Sequence, residues 1–272
     1  MMATTQMIGV FCAALTGKNL NVLGGYSADI CGQQYPQLKG HCLDLQSNSY
    51  VSGLTNVGFI IVAAAAAVAA STFGAEVPIY WREAAAALHT PSYYVAKVVA
   101  DIPMCFCSGM MAWAGFASSF ESPMKPGQLF AGFLLLEIFG YLSGYLLSFL
   151  LPYSVCGLAG VGWAVFWALL YSGTSARLAS DYRDSRWVWA LSLPRWVNEG
   201  WFYASTVRPY VKVRYSGGPL NGDSLFDFGR QKRLYLFFLN FNQAFWYGLL
   251  VCAVLFLLNL IIITSTKLDK KK

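Results

Sequence analysis

Charged side chains are scarce in this chain, and the few that lie within apolar runs are the first candidates for chemistry. Glu137 is the one carboxylate placed deep inside an apolar stretch. An ionisable residue at such depth is costly and is a functional candidate by default. It could line a pathway, sense protons or hydrogen-bond a neighbouring helix. Function and structural hydrogen bonding therefore remain open alternatives for this side chain.

A second set of charges lies in a linker, residues 74–94, between two apolar runs. A helix there would place Glu76, Tyr80 and Glu83 on one face at i, i+4, i+7 spacing, with Arg82 beside them. Such a face could contact a soluble partner domain and transmit its movement to the membrane helices. The alternative is an interfacial helix whose charges are merely solvated.

Lys97 and Asp101 stand four residues apart at the start of the next apolar run. This spacing favours an ion pair with a structural role. The chain contains no Gly-x-x-x-x-Gly-Lys-[Ser/Thr] sequence, so no cradle for ATP phosphates is predicted. It also contains no Gly-x-Ser-x-Gly sequence, which argues against a hydrolase triad.

Metal chemistry is not predicted from the cysteines and histidines. Cys is usually a small hydrophobe in apolar runs, and most of the seven lie in or beside such runs. His41 and His89 are too far apart to suggest a shared metal. Cys31 and Cys42 share a polar loop and are a candidate disulfide if that loop faces an oxidising compartment.

Composition places the chain among membrane proteins. Of its 272 residues, 57% are hydrophobic and only 12% are charged, whereas a soluble domain carries roughly 25% charged residues. The aromatic content of 16% agrees, because Trp and Tyr collect at bilayer interfaces. The net charge is +6, but the basic stretch Arg177–Arg233 is interrupted by apolar and aromatic segments and lies between predicted spans, so nucleic acid is not a predicted partner.

The pattern of apolar runs predicts an all-α polytopic protein. Residues 16–52 are polar and are expected to form a loop after the short apolar patch Met7–Leu15. Trp187–Phe202 is apolar and aromatic, and could lie along or dip into the membrane. The basic residues 267–272 favour a cytoplasmic carboxyl terminus, although charge alone does not settle orientation. The five predicted full spans are residues 53–73, 95–117, 128–151, 155–173 and 234–264.

The linker and its flanks carry a further pattern. Thr72-Phe73, Glu76 and Arg82-Glu83 are followed by Tyr93-Tyr94-Val95-Ala96-Lys97 and Ala100-Asp101-Ile102-Pro103. Downstream come Leu169-Leu170-Tyr171-Ser172-Gly173 and Leu191-Ser192-Leu193-Pro194-Arg195-Trp196-Val197-Asn198-Glu199-Gly200. From about residue 53 to the end, this order resembles the transmembrane domain of ABCG-type (white/brown-like) ATP-binding-cassette transporters. Residues 1–52 match poorly.

The resemblance implies the type-2 ABC exporter permease fold, with six helices per domain and two domains around one pathway. The five full spans would be the second to sixth helices, and Met7–Leu15 would be a truncated first helix. Residues 74–94 would form the cytosolic coupling linker to the ATPase. Residues 174–233 would be extracellular, and the carboxyl terminus cytosolic.

The resemblance also implies site residues. The second and fifth helices would line an apolar slot, with ordinary helix packing or lipid contact as the alternative. Arg195 and Glu199 would belong to an outer gate, with a surface ion pair as the alternative. The predicted lining residues are Val57, Ile60, Ile61, Ala64, Trp163, Phe166, Trp167 and Leu170.

These inferences predict the permease part of an ATP-driven exporter of lipid, sterol or other hydrophobic compounds. The partners would be a nucleotide-binding domain, a second transmembrane domain in a homo- or heterodimer, and membrane lipids. ATP and Mg would bind to the partner domain, and this chain itself would bind no cofactor. An intramembrane enzyme of lipid metabolism and a truncated, non-transporting partner of a full-length transporter are the alternatives.

Overall fold

Seven helices follow one another along the part of the chain that the computed structural model describes. That part comprises residues 39–74, 76, 80, 82, 89–119, 124–172, 186–206 and 241–265, with most side chains described from residue 55 onward. The helices are α1 (Lys39–Gly74), α2 (Thr90–Ser119), α3 (Pro126–Leu150), α4 (Tyr153–Ala164), α5 (Arg186–Leu191), α6 (Leu193–Thr206) and α7 (Phe241–Ser265). Helix α4 continues directly into a π-helical segment, Val165–Leu170.

Four of these helices are long and apolar enough to cross a membrane, and the described residues contain no β-strand. The four segments are Thr55–Gly74, Thr90–Ser118, Pro126–Leu150 and Phe241–Ser265. The predicted span over residues 155–173 corresponds to a shorter apolar helix, Ser154–Leu170. The protein is therefore an all-α, multi-pass membrane protein by the length and composition of its helices.

Helix α3 forms the centre of the bundle, since its side chains are buried almost without interruption from Leu135 to Ser148. It packs most closely on α1, and Gly140 and Gly144 lie at that contact. A Cβ on Gly144 would stand 2.5 Å from the Ala66 carbonyl oxygen and 2.7 Å from the Ala69 Cβ. The small-residue spacing of α3 and the alanine run of α1 therefore form one packing face, as expected for helices that approach closely in a membrane.

The amino-terminal side of α1 differs from the sequence prediction. Residues 39–52 were expected to continue the polar loop, but they are helical. Adding a residue to an existing helix gains a hydrogen bond without a new nucleation step, and residues 39–52 contain no proline to interrupt it. The predicted first helix Met7–Leu15 and Cys31 lie outside the described residues, as does the side chain of Cys42, so the disulfide stays a prediction.

The apolar stretch between the fourth and last spans folds into α5 and α6, separated at Ser192. Pro194 is the second residue of α6, a position where its missing N–H costs no hydrogen bond. Helix α6 packs against α7 and α3, and Trp201 is fully buried between Gly132 and Phe133. Trp187–Phe202 is thus part of the helical bundle.

Candidate functional site

A polar and aromatic junction joins the end of α1 to the start of α2. Glu76 forms an ion pair with Lys97 and accepts a hydrogen bond from the Tyr93 hydroxyl at 3.3 Å. Its backbone carbonyl accepts a bond from the Tyr80 N–H at 2.9 Å, which is the i to i+4 pattern of a helical turn. The described part of the linker is therefore held to α2 by an ion pair and a hydrogen bond.

Tyr80 points into this junction. Its side chain is 5% exposed, its ring lies 5.1 Å from that of Tyr93, and its hydroxyl is 3.2 Å from the Thr90 hydroxyl. Arg82, in contrast, is exposed. Among the predicted coupling residues, Tyr80 thus holds the linker in place and Arg82 is available to a partner. Glu83 lies outside the described residues.

The predicted ion pair between Lys97 and Asp101 is wrong. Lys97 pairs with Glu76, because the chain leaving α1 brings that carboxylate to α2. Asp101 instead accepts a hydrogen bond from the Tyr145 hydroxyl of α3 at 2.6 Å. The spacing identified two side chains on one face of α2, but each finds its partner on another element.

An apolar groove of about 600 Å³ opens between α3, α4, α5, α6 and α7. Its lining is aromatic and aliphatic, and the rings of Trp196 and Tyr247 stack in it with centroids 5.0 Å apart. Trp163 and Trp167, both predicted to line a pathway, lie in its wall. The lining residues are Phe139, Leu146, Trp163, Trp167, Ala190, Leu191, Trp196, Tyr247, Leu250, Val251, Val254, Leu255 and Leu258.

The structure separates the other predicted lining residues from this groove. Val57 and Ile61 are buried in the core, and Ile60 packs against it. Phe166 and Leu170 are 40% and 51% exposed. Ala64 is half-buried on α1. None of the six lines the groove.

The π-helical segment explains why the predicted stripe on the fourth span divides. A π turn closes its hydrogen bond over five residues instead of the four of an α turn, so side chains after it lose the 3.6-residue register. Tyr171 N–H bonds to the Phe166 carbonyl, which is that five-residue step. Leu170, at the end of this segment, is exposed, whereas Trp163 and Trp167 line the groove.

At Thr55, where the membrane-spanning part of α1 begins, a buried polar cluster links three elements. Asn198 of α6 donates to the Thr55 hydroxyl of α1 at 3.2 Å and to the Ser172 carbonyl at 3.5 Å. The Ser172 hydroxyl lies 3.4 Å from that of Thr55. Since residues 55–74 of α1 span about 30 Å, the two polar clusters mark the two ends of one membrane crossing.

Arg195 and Glu199 lie on α6 beside this cluster. Both are buried, at 2% and 3% exposure, and the Arg195 guanidinium stands 5.2 Å from the centre of the Trp189 ring. The surface location in the alternative is therefore wrong, because α6 packs these positions into the bundle. A role in an outer gate stays a prediction.

Glu137 occupies the contact between α2 and α3. It is 1% exposed, and its Oε1 accepts a hydrogen bond from the Ser108 hydroxyl at 2.8 Å. Its Oε2 is buried and has no hydrogen-bond partner among the described residues. No group of three or more His, Cys, Asp or Glu that could hold a metal occurs in the described part of the chain.

Sequence reasoning missed two buried amides. Asn198 stood inside a quoted motif but was not assigned a role. Asn259 is the only amide deep in the apolar run of α7, is 0% exposed, and donates to the Leu142 carbonyl at 2.9 Å. A polar side chain within a span is a signal that applies equally to Asn259 and Glu137.

Comparison with protein-family models gave no match, and comparison with curated proteins gave none either.

Proposed function

We propose that this chain is the membrane-spanning part of an ATP-driven exporter of hydrophobic compounds, coupled to a separate ATP-binding-cassette ATPase. The chain carries no phosphate-binding loop of its own, so the energy comes from a partner. We expect the chain to adopt the ABCG-like permease fold and to pair with a second transmembrane domain. The linker, residues 74–94, would lie in the cytosol.

The observation that carries the proposal is the attachment of the linker to α2 through Glu76. A force applied near residues 76–82 reaches Lys97 and Tyr93 through an ion pair and a hydrogen bond. Tyr80 adds a packed aromatic contact to the same helix. Such a junction moves two membrane helices together, which is what a coupling element requires.

The apolar groove supports the class of cargo. Its walls are almost entirely hydrocarbon and aromatic, and its volume of about 600 Å³ falls within the 300–1,000 Å³ typical of small-molecule sites. Trp163, Trp167 and Trp196 offer flat faces there, without a buried charge in the wall. A lipid, a sterol or another flat apolar compound fits this chemistry better than a polar metabolite.

The test is site-specific photocrosslinking in native membranes. A photoreactive amino acid replaces Arg82, which is exposed, and a matched control replaces Trp246, which is 68% exposed on an apolar helix. We expect an ATP-binding-cassette ATPase, identified by mass spectrometry, at position 82 and only lipid at position 246. Failure to recover such an ATPase at position 82 contradicts the proposal.

Charge exchange then tests the route of coupling. The substitution Glu76→Lys opposes two cations and should lower ATP-dependent export of a fluorescent lipid. The double variant Glu76→Lys with Lys97→Glu restores opposite charges and should recover export. A double variant as defective as the single one would show that the ion pair does not carry the coupling.

A further inference from the structure

Glu137 combines complete burial with an unsatisfied oxygen. Ser108 of α2 donates to its Oε1 at 2.8 Å, whereas Oε2 has no partner among the residues that the structure describes. Gly109 stands over the same side chain, since a Cβ there would lie 3.5 Å from the Glu137 Cγ. The carboxyl group is thus enclosed between two helices and retains one free bonding position.

Among the described residues, no positively charged side chain contacts Glu137. From α2, Asp101, Cys105 and Ser108 face α3, and from α7 Cys252 is the titratable group. Residues 55–74 of α1 and all of α7 contain no charged side chain. Lys97 of α2 is engaged by Glu76.

Helix α3 itself contributes Tyr141 and Tyr145 one and two turns from Glu137. Helix α6, which also packs on α3, carries Arg195 and Glu199. Neither of these two residues forms an ion pair or hydrogen bond with Glu137.

An isolated carboxylate in an apolar interior is strongly disfavoured, and binding a proton removes most of that cost. The proton converts the carboxylate to a neutral acid. Its O–H would stand on Oε2, the oxygen that lacks a partner, while Oε1 continues to accept from Ser108.

A polar track leads from this group toward one end of the bundle. On α2, Lys97, Asp101, Cys105 and Ser108 share a face at spacings of four, four and three residues. On α3, the Tyr145 hydroxyl donates a hydrogen bond to Asp101 at 2.6 Å. The Tyr145 ring lies 6.3 Å from the ring of Tyr141, and Tyr141 is one helical turn from Glu137.

We infer that Glu137 is an intramembrane proton-binding site, which exchanges its proton along the Asp101 side of the contact between α2 and α3. The inference goes beyond the proposed exporter function and stands on the geometry of two helices. It requires neither an ATPase nor a cargo, so its test and the crosslinking test at position 82 fail independently.

The test uses dicyclohexylcarbodiimide, an apolar reagent that modifies protonated carboxyl groups in apolar surroundings. The acid O–H adds across one C=N bond of the reagent, giving an O-acylisourea with all atoms retained, which rearranges to a stable N-acylurea. Membranes containing the full chain are treated over a series of pH values. Labelling of the peptide containing Glu137 is then quantified by mass spectrometry.

We expect Glu137 to be labelled at neutral pH and labelling to fall as pH rises. Glu137→Gln should remove the adduct. Ser108→Ala removes the donor that favours the carboxylate, and should shift the labelling profile to higher pH by about one unit. If Glu137 took up no proton in the folded chain, Ser108→Ala would leave the labelling unchanged at every pH, which would contradict the inference.

A second reagent separates burial from general reactivity. A water-soluble carbodiimide with an added amine should modify Glu76, whose side chain is 35% exposed, and leave Glu137 unmodified. As a recovery control, the chain is first unfolded in detergent and then treated with the same reagent, and the peptide containing Glu137 is detected by mass spectrometry. Absence of the apolar adduct in folded wild-type chain, or labelling that does not change with pH, overturns the inference.

Discussion

Gly140 of α3 lies so close to Ala65 of α1 that a Cβ on the glycine would overlap the alanine methyl group. The same helix contact continues one turn later at Gly144. Without a hydrophobic driving force between helices in lipid, such contacts depend on close packing of small side chains. The α1–α3 contact is therefore a place where a single added methyl group should reduce stability.

We predict that Gly144→Ala destabilises the bundle by about 1–3 kcal/mol, the usual cost of overpacking. The added methyl group meets the Ala66 carbonyl oxygen and Ala69, and neither can move without displacing α1. The measurement is the unfolding midpoint in detergent. Gly162→Ala is the matched control, because its Cβ meets nothing within 4 Å, and an equal loss in both variants would contradict the prediction.

We predict that cysteines at positions 80 and 82 differ in reactivity. Tyr80 is 5% exposed and Arg82 is exposed, so a polar maleimide should label Arg82→Cys at least several times faster than Tyr80→Cys. The comparison is made in sealed vesicles of both orientations. Labelling of Arg82→Cys only from the face corresponding to the cell exterior would refute the cytosolic assignment of the linker.

We predict that filling the apolar groove blocks its use by a hydrophobic ligand. Val254 lines the groove, and Val254→Trp adds an indole ring there. Binding of a fluorescent lipid should weaken several-fold, whereas Leu257→Trp, a position on α7 outside the lining, should leave it unchanged. If the two variants bind the probe equally, the groove is not the ligand site.

We predict that Asn259→Leu loosens α7 from α3. The substitution removes the bond to the Leu142 carbonyl, and hydrogen bonds between membrane helices contribute about 0.6 kcal/mol, with a maximum near 1.7. The unfolding midpoint should fall by a corresponding amount, while Leu257→Ala on the exposed face should leave it nearly unchanged. A variant as stable as wild type would show that the amide contributes nothing at this contact.

Much of the fold could be predicted because hydrocarbon length is a strong constraint. The apolar runs at residues 53–73, 95–117 and 128–151 overlap α1, α2 and α3, and the final run overlaps α7. The polar start of α1 was not predicted. Composition indicates whether a segment is exposed to solvent or to lipid, but it does not indicate how far a helix extends beyond the apolar run. Residue 39 begins the helix without any apolar signal.

Candidate site residues could be predicted only where the type of residue and its place in an apolar run are sufficient to single it out. Glu137 stood out because a carboxylate inside an apolar run is rare, and Trp163 and Trp167 because aromatic rings recur at helical spacing. Partners were not predictable in the same way. Lys97 pairs with Glu76 and not with Asp101, because the chain turns back after α1 and brings Glu76 to α2. Such a pairing depends on tertiary structure and cannot be predicted from spacing along the sequence.

The π-helical segment Val165–Leu170 has a mechanical consequence. Two points in and just after the segment are held by different neighbours. The Trp167 carbonyl accepts a hydrogen bond from the Ser192 hydroxyl, and Ser172 contacts Thr55 and Asn198. A return to α-helical winding between these anchors would rotate one end against the other without changing the tilt of the helix. Such a rotation would turn Trp167, which lines the groove, and would therefore change the groove's shape.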